Sequence, residues 1–475
     1  MNQKKDTLIL LISLMLTLGI LGLGAWWLWG RNGQFGFNGG GSNEKGTPTG
    51  EIDPHQPVDS LISGGDRLLV GTKVSREKTQ AVAALMTGDY DTAVINLEAA
   101  LSQNPNDPEG LIYLNNARIG AKKAYAIAVA VPIGNDLDGS QEILRGIAQA
   151  QEEINNQQGG INNIPLKVFI ANDNNDSVLA QKLAKAFAKQ PEILGVVGHW
   201  ASDVSLATGE IYEAEKLVAI SPISTSVKIS SLGDYIFRTV PSDRFAGSAL
   251  SRYQVQTLRK KATGIFYNSQ SNYSRSLKDE FTTALFGDGG NVVGEYDLGD
   301  PNFNAANAIN EAIAGGAEVL MLATNTGTLD QTLQVIQVND GKLNLLAGDD
   351  AYAPKILQIG GRDAIGLVVA IPWHVLAHQD ELFTQTSRQL WGGDVSWRTA
   401  MAYDAAKSLI MAISMNPNPD RATVQASLAN PGFRAQGASG DVRFLPSGDR
   451  HQAVQLVEVQ PGTRSGFGFD FVPVP

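Results

Sequence analysis

The 475-residue chain contains no cysteine. That excludes disulfides, thiolate metal sites, cysteine nucleophiles and any lipid carried on a cysteine, and it removes the redox clue to compartment. No block of lysine and arginine of the kind that grips phosphates is present. Lys+Arg 37 against Asp+Glu 48 gives a net charge of −11, so a nucleic-acid partner is disfavoured. Catalytic signatures are missing too: there is no Walker A sequence, no G-x-S-x-G elbow and no H-E-x-x-H. His374 and His378 are four residues apart, but no glutamate follows the first as a zinc-protease base would require, and interior or surface roles are favoured over a metal pair. Gly287-Asp288-Gly289-Gly290 leads into a strand rather than a helix and reads as a loop. The sequence therefore predicts no enzyme, no cofactor and no metal. What it does have is 43% hydrophobic residues and a length well beyond the ~100–200 residues of a typical domain, so two or three folding units are expected.

One apolar run is long. Leu8 to Trp29 carries no charge over about 22 positions, enough for a helix to cross the ~30 Å hydrocarbon core. Trp26, Trp27 and Trp29 stand at its far end, where indoles favour the interface, and Lys4 and Lys5 precede it. Residues 7–30 are expected to form a retained single-pass anchor in the inner membrane with the short N-terminus in the cytoplasm. A cleaved signal peptide would have a shorter apolar stretch and a small-x-small site, and the exit here is Trp-Leu-Trp-Gly-Arg. Residues 31–60, rich in Gly, Asn, Pro and Thr, read as a flexible linker that places the folded part in the periplasm or outside the cell.

Residues 61–121 show helical spacing with breakers. Ala93, Val94, Leu97, Ala100 and Leu101 lie on one face, Gly88-Asp89 precedes them, and Pro105 ends the helix. The run GDYDTAVINLEAALSQNPND resembles a tetratricopeptide repeat. One repeat cannot bury its own apolar face, since about three are needed for a stable solenoid, so this module is expected to lean on something else. A packed helical spacer and a partner-docking surface both remain open.

From residue 122 onward, short β-rich runs alternate with amphipathic helices. Ala124–Val131, Leu166–Ala171, Leu194–Val197 and Val218–Ile220 are strands of a first series. A second begins near Ser242 and contains strands Ala262–Tyr267, Val292–Asp297, Ala317–Leu322, Leu343–Ala347 and Gly366–Ile371. Fully apolar strands between amphipathic helices predict an α/β fold of two doubly wound, parallel-sheet lobes, with a site outside the carboxyl ends of the strands.

The runs GSQEILRGIAQAQEEINNQQGGINNIPLKVFIANDNND, VVGHWASDVSLATGEIYEAEKLVAISPISTS, DYIFRTVPSDRFAG, IFYNSQSNYSRSL, LLAGDDAYAP and GDVRFLPSGDR give residues 122–475 a family likeness. In order and spacing this part resembles the type I periplasmic solute-binding proteins of the branched-chain amino acid ABC transporters. The resemblance implies lobes of about 124–241 with 373–451, and 242–372 with 452–475, joined by three crossovers. It also implies an amino acid ligand trapped between the lobes and an ABC permease as partner. Positions matching Ser202, Ile223 (through its backbone), Ser224 and Thr225 bind the ligand's carboxylate and amine. Asp350 matches the acid that pairs with its ammonium, and Tyr273 lines the far wall. Ser202 at a helix start and Ser221-Pro222-Ile223-Ser224-Thr225 after a strand suit an anion site on their own chemistry. Each also has a plain reading: Ser202 and Thr225 as helix caps, Asp350 beside Asp349 as a solvated loop acid, Tyr273 as packing. Placed together at strand ends of two opposed lobes, they favour binding.

Where the family has aromatics against an apolar ligand side chain, this chain has Asp136, Asp138 and Asn325, with Trp200 nearby, so a polar or cationic ligand side chain is as plausible as leucine. A helical repeat joined to a type I binding fold also resembles envelope regulators that act by protein contact, the alternative to transport. If the anchor is retained, mass spectrometry of the native protein should detect peptides from Met1 to Arg31. A mature N-terminus near Gln34 would refute retention.

Overall fold

The computed structural model describes residues 57–72 and 74–474. The expected anchor at 7–30 and most of the linker lie outside them. Among the described residues, no helix is long and apolar enough to cross a membrane.

Aliphatic runs without polar alternation become strands covered on both faces. The first sheet contains β1 (Ile62–Ser63), β2 (Tyr125–Val131), β3 (Leu166–Asn172), β4 (Ile193–Val197), β5 (Val218–Ser221) and β6 (Ile236–Arg238), in the order β1-β3-β2-β4-β5-β6. Every residue of β2 and β4 is buried. The second contains β7 (Ala262–Tyr267), β8 (Asn291–Asp297), β9 (Val319–Ala323), β10 (Asn344–Ala347), β11 (Val368–Ile371), β14 (Gln455–Pro461) and β15 (Phe469–Pro473), in the order β15-β14-β11-β10-β9-β7-β8. A small hairpin, β12 (Ala435–Gly437) and β13 (Gly440–Val442), stands apart. In each large sheet the strand order reverses once, at β2 and at β7, which opens a crevice at the carboxyl ends there.

The expectation of purely parallel sheets is corrected. β1 pairs antiparallel with β3, β14 with β11, and β15 with β14. β1 is an edge strand and β14 with β15 forms a hairpin along the other sheet's edge, where no crossover helix is needed, and β14 and β15 are only partly buried. The chain passes between the sheets three times. It leaves the first after β6 and returns after β11. It crosses again between the Phe444–Arg450 bridge and β14.

The helical stretch comprises α1 (Arg76–Met86), α2 (Tyr90–Gln103) and α3 (Pro108–Ile119), with N-caps Ser75, Asp89 and Asp107. α3 is buried along nearly its whole length, between α2 on one side and β3 and α4 (Leu137–Glu152) on the other. Asn116 explains the attachment. Its amide donates to the carbonyls of Gly64 (2.9 Å) and Val168 (2.8 Å) and accepts from Val168 N–H (3.2 Å) and Gln151 (2.9 Å). A side chain thus completes the sheet edge that β1 leaves after two residues. Lys78, Asp107 and Glu109 form a buried ion cluster below, with Glu109 also accepting from Leu69 and Val70 N–H. The module expected over 61–121 leans on the first sheet and contributes β1 to it, while residues 58–60, expected as linker, belong to a 3-10 turn, Val58–Leu61, with Leu61 buried. Asn116→Ala should destabilise the protein by about 2–4 kcal/mol, because three backbone groups and Gln151 lose this partner in the interior. Urea unfolding measures it.

Candidate functional site

The remaining helices that frame the crevice are α5 (Ser177–Ala188), α6 (Ser202–Ala214), α7 (Asp243–Arg252), α8 (Asn272–Gly287), α9 (Ala305–Ala314), α10 (Leu329–Asn339), α11 (Leu382–Trp391), α12 (Trp397–Ser414) and α13 (Arg421–Leu428). Turns after β4, β5, β7, β9 and β10 converge on a cavity of about 400 Å³. Ser202, Ile223, Ser224, Tyr273, Asp350, Trp200 and Asn325 line it, drawn from both sheets.

The first wall is a lattice of hydroxyls. Ser221 Oγ donates to the His199 carbonyl (2.9 Å) and accepts from Ser224 N–H (2.9 Å), and Ser224 Oγ lies 2.8 Å from Ser205 Oγ. Ser202 opens α6 and its Oγ accepts weakly from Ser226 N–H at 3.3 Å. Val204 and Ser205 N–H already donate to the Ala201 carbonyl (3.0 Å each), which leaves the Ser202 and Asp203 N–H groups at the positive end of the helix, where an anion is favoured. The turn is braced from below by His199, whose ring bonds to Asp173 (2.6 Å) and Tyr212 (3.0 Å), all fully buried. Trp200 packs on Gly139, where a Cβ would come within 2.4 Å of the indole, so only glycine admits the ring.

The opposite wall is acidic. Tyr273 donates to Asp349 (2.5 Å), and Asp350 accepts from Thr326 N–H (3.1 Å). Burial, then the neighbouring charges of Asp350 and Asp243, push Asp349 up to about 8. Burial raises Asp350 as well, against the opposing pull of Arg398. Tyr273 is driven far above its usual range by burial and by both aspartates. The lobes meet around the cavity: Asn272 Nδ2 donates to Asp203 (2.6 Å), Val227 N–H to Ser276 Oγ (3.0 Å), and Arg398 to the Tyr352 carbonyl (3.0 Å).

Three expected residues are placed elsewhere. Thr225 is buried but does not line the cavity; its carbonyl accepts from Asp243 N–H (3.0 Å) at the first crossover. Asp136 caps α4, accepting from Gly139 N–H (2.9 Å), which commits its carboxylate to the helix. Asp138, two residues further on, is exposed. Asn325 lines the cavity, with its side chain already engaged by Thr328 (2.8 Å) and Asn268 (3.0 Å). Asp349, which the sequence leaves as a bystander to Asp350, is part of the wall. Sequence reasoning also passes over Asp203, Asn175 and Arg398. The doubled acid and the NDNND turn were the available signals for Asp349 and Asn175, and nothing local marks Arg398.

The periplasmic binding protein family model matches residues 129–464. Among curated proteins, an amino acid binding protein of Pseudomonas aeruginosa is 30% identical over 259 residues, covering 50% of this chain and 67% of that protein. A leucine-, isoleucine-, valine-, threonine- and alanine-binding protein of the same organism is 28% identical over 190 residues, covering 39% of this chain and 50% of its own length. Among solved structures, a leucine binding protein from Thermotoga maritima superposes with a TM-score of 0.64 at 21% identity, covering 73% of this chain and 97% of that one. A Desulfitobacterium hafniense ABC transporter substrate-binding protein in complex with Leu gives 0.64 at 24%, covering 74% and 100%.

The raised Asp349 predicts a pH effect with a definite sign. Between about pH 4 and pH 8 an unfolded aspartate has released its proton while the native state still holds it, so native stability falls as pH rises across that window. Asp349→Asn removes this dependence. The variant should match the parent at the acid end and exceed it by on the order of 1 kcal/mol or more at the alkaline end. Urea unfolding at both ends tests it, and identical pH slopes would mean that Asp349 is ionised throughout.

Proposed function

The chain belongs to the periplasmic binding protein family, and from that premise we propose that it is an extracytoplasmic receptor that captures an amino acid between its lobes for an ABC permease. One observation carries this reading: serine hydroxyls and a helix N-terminus on one wall face a tyrosine and two aspartates on the other, across a cavity of about 400 Å³. An amino acid has the complementary pattern. Its α-carboxylate suits Ser202 and the N–H groups opening α6, with the Ile223 backbone and Ser224 beside them. Its ammonium suits Asp350 next to Tyr273. Charged partners in a cleft shielded from water make stronger hydrogen bonds than neutral ones. The two lobes act as the jaws, and a ligand favours closure because only the closed state contacts it from both sides. In this reading the apolar run at 7–30 tethers the receptor to the cell membrane, and the permease carries the solute across.

A regulator acting through the helical module is less well supported. Met86 and Ile95 are exposed there, 69% and 67%, but α3 is spent on the first lobe rather than offered to a partner.

A thermal-shift screen against the amino acids tests the proposal, since a ligand at 100 times its Kd adds about 2.7 kcal/mol. The radius of gyration in solution should fall on binding. Asp350→Asn should weaken binding by about 2–5 kcal/mol and Ser202→Ala by about 1.5–3 kcal/mol, read by calorimetry. If no amino acid raises the melting temperature, the reading is wrong.

A further inference from the structure

We propose that the captured amino acid carries a cationic side chain, an ammonium or guanidinium. This rests on the amino acid reading above and concerns the charge that reading leaves unmatched. Asp203, Asp349 and Asp350 border the cavity, and among the described residues no lysine or arginine lines it. Asp203 is held by neutral donors, the backbone and side-chain N–H groups of Asn272. Asp350 is already engaged: Thr326 N–H donates to one oxygen, and Arg398 stands 3.7 Å from the other. That arginine is shared with Glu142 at 3.6 Å. Asp349 is different. It is only 8% exposed, Tyr273 is its one donor, and among the described residues no lysine or arginine pairs with it.

A zwitterion does not correct this. Its ammonium answers one carboxylate, but it brings a carboxylate of its own, and the total charge of the closed cleft is unchanged. A second positive group supplies the missing counter-charge, and a buried carboxylate without one is costly. The raised titration of Asp349 is a symptom of the same imbalance: without a counter-charge the group keeps its proton, and a cationic ligand group beside it favours the ionised form.

The walls agree. An aliphatic ligand needs aliphatic surface, yet the apolar lining is Ala201, Val204, Ile223 and Trp200, all from the first lobe. The facing wall is hydroxyl, amide and carboxylate apart from the Tyr273 ring. At the cavity, Asn175 also holds a buried Oδ1 with no donor among the described residues. A guanidinium or ammonium offers several N–H donors and no acceptor, which suits such a surface.

Paired ligands of matched shape test this on the full chain by calorimetry: L-arginine against L-citrulline, and L-lysine against L-norleucine. The charged member of at least one pair should bind about 30-fold or more tightly than its neutral partner, and Asp349→Asn should shrink that ratio by about tenfold. If citrulline, norleucine or leucine binds as tightly as the charged ligands, the inference is overturned while the amino acid reading stands. If no amino acid binds at all, that underlying reading fails and takes this one with it. The wild-type comparison needs no variant, so a poorly folding Asp349→Asn does not blunt the test.

Discussion

Arg398 opens the long helix α12 in the first lobe, yet its guanidinium reaches the Tyr352 carbonyl and Asp350 of the second. It lies 4.6 Å from the ring of Trp397 and 5.3 Å from that of Trp200, with Glu142 completing its surroundings. A buried cation must have its counter-charges close, and here they come from both lobes. Separating the lobes would leave it with Glu142 and two aromatic faces, and would leave Asp350 with a backbone N–H. The same residue therefore supports the closed arrangement, tempers the acid wall, and holds the tryptophan that borders the cavity. Trp200 in turn depends on Gly139, so the geometry of the first wall runs through a glycine at the start of α4.

The first sheet poses a separate problem, an exposed edge. β3 would present unpaired N–H and C=O groups to any passing strand. A two-residue strand covers part of that edge and the Asn116 amide covers the next residue pair, so the helical module acts as an edge cover. Its buried ion cluster and the Tyr113 bond to the Arg67 carbonyl fix it in place.

Much of this was legible in the residues. Uniformly apolar strands and amphipathic helices are strong signals, and strand Ala262–Tyr267 falls where the sequence predicts it. Helices α11 to α13 were not anticipated. α12 is buried on almost every side, so it has no polar stripe for periodicity to detect. The antiparallel hairpin β14–β15 was missed because its burial alternates irregularly at a sheet edge. At the site, residue type was informative where a strand end dictates position, as for Ser202, Tyr273 and Asp350. It misled where one residue type has two uses: Asp136 has the chemistry of a ligand acid and the position of a helix cap. Arg398 follows Asp350 by a long stretch of chain, and such a meeting is a property of topology that local pattern does not carry.

The interleaving of the lobes bears on how the protein is made. α4 and α12 pack so closely that a Cβ on Gly146 would fall 2.3 Å from the Thr399 carbonyl. Yet residues 137–152 leave the ribosome long before residues 397–414. Until then the nascent first lobe lacks the helix that covers one face of β4 and fills the groove along α4. Most of the second lobe, β7 to β11 with their helices, is synthesised in the interval. The early half must therefore wait with apolar surface uncovered, a period in which a holding chaperone or an unfolded export-competent chain has time to act.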